Sequence, residues 1–164
     1  MHEVNLKTYE WNPQTPLEVV LFLVLFGVAF AALWSFIFLI LATLGGWRRL
    51  AESYRLEGDF NGSLWGWRSA RMRFGVNYGS CLTFGASDQG LMMRVFPLFR
   101  IGHPALFFPW SDVRAVAREG WVFKYIDLGF SRAPDVTIRI PYQLGALLLQ
   151  AGRRDTELLS EGRA

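Results

Sequence analysis

Cysteine and histidine are nearly absent from this 164-residue chain: Cys81 stands alone, and His2 and His103 lie far apart. A single cysteine excludes an internal disulfide and fits a reducing compartment. So few thiols and imidazoles leave too little for a metal site built on them. Gly-x-Ser-x-Gly does not occur, and neither does a glycine-rich phosphate loop ending in lysine. The carboxylates Asp88, Asp112, Glu119 and Asp135 stand in turn contexts or beside arginine, where turn chemistry accounts for them. His103 precedes Pro104 and is expected to be exposed or to bond within its loop. The expectation is a protein that is not an enzyme, with no catalytic residues, no metal and no cofactor. An enzyme would need titratable groups gathered in a deep apolar pocket.

Charge is missing from Val19 to Leu44, a run of 26 residues. A bilayer core about 30 Å thick is crossed by roughly 20 apolar residues in helix. A helix apolar on every side belongs in lipid rather than water. Residues 17–44 are therefore expected to form one transmembrane helix. Thr15 is placed to cap it, with Pro16 at its first position and Glu18 in its first turn. Tyr9 and Trp11 suit an interfacial belt before it. A cleaved signal peptide fits less well: the apolar run is too long, the leading end is slightly acidic, and Ala42-Thr43-Leu44 is a poor cleavage site. With no His, Asp, Glu, Lys or Arg in the run, it offers no axial haem ligand and no ion path of its own.

Positive charge is distributed unevenly. Only Lys7 precedes the run, whereas Arg48, Arg49 and Arg55 follow it. The positive-inside bias puts residues 1–16 outside and the C-terminal part in the cytoplasm, as a single-pass protein of the inner membrane. Lysine is scarce as well, and 15 of the 16 cations in residues 45–164 are arginine, against 11 carboxylates.

Two stripes recur every four residues within the helix. Gly27, Ala31 and Ser35 form a small-xxx-small face that admits a second helix closely, and Phe22, Phe26, Phe30, Trp34 and Phe38 form an aromatic row beside it. Both are candidates for helix–helix packing. Residues 45–64 read as a juxtamembrane collar and linker. Trp47, Leu50, Ala51 and Tyr54 share a helical face, with Arg48 and Arg49 off it. Such a helix lies at the headgroup layer or packs on the following domain. The linker is marked by Gly58, Asp59, Asn61 and Gly62.

From Trp65 the period changes to two. Ala70, Met72, Phe74 and Val76 alternate with Arg71 and Arg73, and similar runs cover 82–86, 91–95, 106–110, 113–118, 121–130 and 136–140. About seven short antiparallel strands separated by turns predict a barrel or sandwich. Leu144, Leu147, Leu148 and Ala151 then define an amphipathic helix ended by Gly152, and residues 153–164 form a polar tail. The fold class expected is one transmembrane α-helix followed by a small α+β domain over residues 65–152.

Seven strands and a closing helix, with Ser87-Asp88-Gln89-Gly90-Leu91 and Phe108-Pro109-Trp110-Ser111-Asp112-Val113, resemble bacterial pleckstrin-homology-like and GRAM-like domains. The resemblance covers residues 65–152. It implies that the helix plugs an open sheet, burying Leu144, Leu147 and Leu148, and that the domain binds headgroups or protein. Arg71 and Arg73 fall on the first strand, but the loop Gly75-Val76-Asn77-Tyr78-Gly79 carries no cation. That departure disfavours specific phosphoinositide binding and favours protein. Trp65, Trp67, Arg68, Arg71 and Arg73 mimic a nucleic-acid face, yet they follow the membrane collar, so no nucleic-acid partner is expected. The function expected is an accessory or assembly subunit that docks onto other membrane-protein subunits through its helix and its cytoplasmic domain. The alternative is a sensor of anionic lipid headgroups using Trp47, Arg48, Arg49, Arg71 and Arg73.

Overall fold

A computed structural model describes residues 15–152 and the backbone of Leu159–Ser160. The expectations for Tyr9, Trp11 and most of the polar tail lie outside the described residues. The chain forms two compact units, Met1–Phe36 and Ile37–Ala164.

Helix α1 (Pro16–Leu44) starts in the first unit, and it begins as the sequence predicts. The amide of Glu18 donates to the backbone oxygen of Thr15 at 3.1 Å and lies 3.4 Å from its hydroxyl. The aromatic row stacks along the helix, with ring centroids 6.3 Å apart for Phe22–Phe26, 6.4 Å for Phe26–Phe30 and 5.7 Å for Phe30–Trp34. The Ser35 hydroxyl donates back to the Ala31 carbonyl at 2.7 Å, which removes a polar group that lipid would penalise. α1 is long and apolar enough to cross a bilayer, and its apolar window has no buried residue.

The second unit holds the last two turns of α1, a short helix α2 (Trp47–Tyr54), and a curled antiparallel half-barrel of seven strands. These are β1 (Ser63–Arg71), β2 (Asn77–Ala86), β3 (Gly90–Val95), β4 (Leu106–Pro109), β5 (Val113–Glu119), β6 (Lys124–Phe130) and β7 (Thr137–Pro141). Helix α3 (Tyr142–Ala151) follows, and β8 (Leu159–Ser160) adds two residues parallel to β5. The spatial order is β4-β3-β2-β1-β7-β6-β5-β8. β1 and β7 join through one pair, Arg71↔Arg139, so the sheet is nearly open there.

The core is continuous across the collar. Trp47, Leu50 and Tyr54 are buried, so the collar stripe packs on the domain. Tyr54 meets Phe108 and Phe130 with ring centroids 5.1 and 5.9 Å away, and those two rings stack at 4.2 Å. The turn between α1 and α2 needs glycine at 46: φ is +82°, and a Cβ there would come within 2.8 Å of Val136.

Several sequence expectations are corrected. The strand expected through Phe74 and Val76 stops at Arg71, because Phe74 and Gly75 take positive φ (54° and 76°) in a tight turn. Phe74 is consequently exposed, while Ser63 and Leu64 of the expected linker join β1. Trp121–Phe123 are not strand but the β5–β6 turn, closed by the Gly120 amide donating to the Phe123 carbonyl at 2.9 Å. On α3, Leu147 faces outward and Leu149 takes its place in the core beside Leu144 and Leu148. The helix begins two residues earlier than the apolar pattern indicates, and Gly145 presses against Ile126.

Candidate functional site

The near-open seam between β1 and β7 is where the sheet offers a site. β1 is irregular, with register shifts on both sides of Arg68, and only its end touches β7. Beside the seam lies a groove of about 870 Å³. One wall is Ser69, Arg71 and Asn77 from β1 and β2; the other is the β5–β6 hairpin with Tyr125, Arg139 and Tyr142. The hairpin exists because β5 and β6 pair in unbroken register from Val113↔Phe130 to Glu119↔Lys124. Its tip carries Trp121, Val122 and Phe123, which are 105, 75 and 78% exposed. Three adjacent large apolar side chains in water on a turn are unusual unless something covers them.

The groove wall is held rigidly. Asp127, almost fully buried, accepts from Arg139 Nε at 2.7 Å and from Arg139 Nη2 at 3.0 Å, and Arg118 Nε lies 3.1 Å away. The Arg139 guanidinium lies 3.9 Å over the Tyr125 ring, and its hydrogen bonds to Asp127 raise its pKa above the ordinary value. At the rim Lys124 contacts Glu119 at 2.6 Å; that hydrogen bond lowers the Glu119 pKa and raises that of Lys124. Arg71, Lys124 and Arg139 line the groove, and no carboxylate does. Asp127 already holds Arg139, and Glu119 already holds Lys124. Of the three lining cations it is therefore Arg71, together with the apolar tip, that suits an acidic ligand with apolar side chains. Among the described residues no three of His, Cys, Asp and Glu gather at one point.

The residues singled out from sequence are only partly assembled. Trp47 does not belong to a headgroup-facing set: it is fully buried, its indole donates to the Pro104 carbonyl at 2.9 Å, and its ring lies 4.9 Å from that of His103. Arg49 and Arg73 converge on Asp135, at 3.8 and 3.2 Å, so a carboxylate already sits between them. Arg48 is exposed on α2, and Arg71 lies apart in the groove. Around Gly27 there is open space. Phe38, the last of the aromatic row, packs on Phe99 of the domain with centroids 5.2 Å apart. Trp121, Phe123 and Arg139 escaped sequence reasoning because their periodicity matched strand. The Glu119-Gly120 turn signal, carried three residues further, would have marked the hairpin tip.

His103 is not exposed but, as the other expectation has it, bonds within its loop. It is fully buried, with Nδ1 2.8 Å from the Ile101 carbonyl and Nε2 2.9 Å from the Tyr78 hydroxyl. A carbonyl only accepts, so Nδ1 carries the proton and Tyr78 donates to Nε2. Burial pushes the His103 pKa down, against the Ile101 hydrogen bond, which raises it.

No known protein family, curated protein or solved structure matches this chain.

Proposed function

We propose that this chain is a non-enzymatic accessory subunit, held in the cytoplasmic membrane by α1 with its half-barrel in the cytoplasm, that docks an acidic, apolar-bearing segment of a neighbouring membrane-protein subunit. The observation that carries the proposal is the exposed Trp121-Val122-Phe123 tip beside a groove whose charged lining residues are all cationic. Seven strands closed by a helix also follow the element order of PH-like domains, many of which bind protein.

Retention of α1 has its own support. Ala42 is buried in the domain core, and the Tyr78 hydroxyl lies 3.4 Å from the Leu41 carbonyl. Cleavage after Leu44 would strip these residues from a folded unit, which a disposable signal sequence would not require. The Gly27, Ala31 and Ser35 face offers a second contact, helix to helix. Headgroup sensing through Arg48, Arg49, Arg71 and Arg73 has less support, since Asp135 neutralises two of the four and Arg71 is elsewhere.

The test is purification of the full chain from its native membrane in mild detergent, beside a Trp121→Ser/Phe123→Ser double variant. The wild-type chain is expected to comigrate with a defined partner in stoichiometric amount, and the variant to lose it while remaining folded. A wild-type monomer accompanied by nothing would overturn the proposal.

A further inference from the structure

The loop between β3 and β4 carries a second exposed apolar surface, separate from the groove. It runs Phe96-Pro97-Leu98-Phe99-Arg100-Ile101-Gly102-His103. Leu98 is 65% exposed, and Ile101 and Phe96 remain 42 and 40% exposed. Trp67 joins them: it is 70% exposed, and its ring lies 5.2 Å from that of Phe96. Trp67 also sits at φ +55°, in a strand that bulges on either side of Arg68. Such strain is costly for an aromatic residue and aims this side chain out of the sheet.

The position of this surface identifies what covers it. Phe99 packs on Phe38, and a Cβ at Gly102 would approach Leu39 to 3.0 Å and Ala42 to 3.4 Å. The loop therefore lies against the last two turns of α1. Those turns are not enclosed by the contact, since Ile37, Leu39, Ile40 and Leu44 keep 39 to 48% exposure. Leu39 is five residues before the helix end, or about 7.5 Å at 1.5 Å per residue. Elements that lie in the membrane interface bury their apolar faces about 5–10 Å into it. The first charge after Leu39 is Arg48, on the exposed side of α2. The loop thus reaches back along an apolar helix to the depth at which interfacial side chains sit. Arg94 and Arg100 line a small pocket of about 290 Å³ together with Trp67 and Phe96. Long arginine stems let such groups rise to phosphates while their neighbours stay in acyl chain.

We infer that the β3–β4 loop and Trp67 form a monotopic membrane-insertion surface: Leu98, Ile101, Phe96 and Trp67 enter the acyl-chain boundary of the leaflet that α1 leaves, and Arg94 and Arg100 meet lipid phosphates. This rests on α1 crossing the bilayer. It gives the domain a second attachment to the leaflet beside α1.

The experiment uses the full chain in nanodiscs of phosphatidylcholine and phosphatidylglycerol. Cys81→Ser removes the native thiol, and single cysteines are placed at Leu98, Ile101, Phe30 or Asp88 for nitroxide labelling, with thermal unfolding as the check on folding. Collision rates with oxygen and with a water-soluble nickel chelate report depth. Labels at 98 and 101 are expected to show a several-fold higher oxygen-to-nickel ratio than the label at 88, because oxygen concentrates in acyl chain and the chelate in water, and an interfacial face is buried in the headgroup/acyl boundary. A deep label at 30 with water-exposed labels at 98 and 101 would sink the loop inference and leave the spanning helix standing. A water-exposed label at 30 would remove the span, and the loop inference with it. Labels at 98 and 101 shielded from both reagents would mean that protein covers the loop, which also overturns lipid insertion.

Discussion

Three polar groups decide much at the residue scale. The buried chain Ile101 carbonyl, His103 imidazole, Tyr78 hydroxyl joins the β3–β4 loop to β2 beneath Trp47. Removing the hydroxyl leaves Nε2 buried and without its donor, so Tyr78→Phe is expected to cost about 1–2 kcal/mol by thermal or denaturant unfolding. The chain also makes stability pH-dependent. His103 has a folded pKa below its unfolded value of about 6.5, so the unfolded state takes up a proton first. Its contribution is complete above about pH 6.5 and declines as pH falls from there through the folded pKa. A melting-temperature series from pH 7.5 to 5 should show this decline, and His103→Gln should flatten it. An unchanged slope in the variant would assign the pH dependence to other groups.

Element contacts explain which patterns in the chain were legible. The charge-free run, the period-two stretches and the Leu144/Leu148 face each bury or expose a whole side of an element, and that periodicity is visible in one dimension. Phe74, Trp121 and Leu147 matched the same periods, yet they lie outside the core. A two-residue backbone reversal or a change in helix docking moved them, and hydrophobicity does not record either. α3 shows how tight the docking is. A Cβ at Gly145 would stand 2.5 Å from Ile126 Cδ1 and 3.1 Å from its Cβ. Gly145→Ala should improve helix propensity but overpack this contact, for a net loss of about 1–3 kcal/mol in denaturant titration. A stabilised variant would show that α3 shifts freely on β6.

The whole molecule departs most from a tethered-domain picture. The compact second unit begins at Ile37, inside α1, and not after the collar. Ala42 and Trp47 are both fully buried, and Phe38 and Leu39 receive the β3–β4 loop. A fragment of residues 37–164 should therefore unfold cooperatively by circular dichroism in mild detergent. A fragment of residues 46–164 should melt lower or lose cooperativity, because it uncovers Gly102, His103 and Tyr78 together. Equal melting temperatures would mean that the end of α1 is an ornament to the fold. The site follows the same division: Arg71 was visible as a cation on a strand, but its partners across the groove were not.

By itself the chain determined a lone apolar helix, a run of short antiparallel strands and a closing helix, since each follows from spacing along the backbone. Tertiary structure alone decided that Trp47 and His103 are interior, that Asp135 separates Arg49 from Arg73, and that Trp121–Phe123 stand at a tip. It also set Phe96–His103 against the end of α1. Those facts concern residues distant in sequence, whose burial and pairing depend on where the sheet curls and where its seam opens.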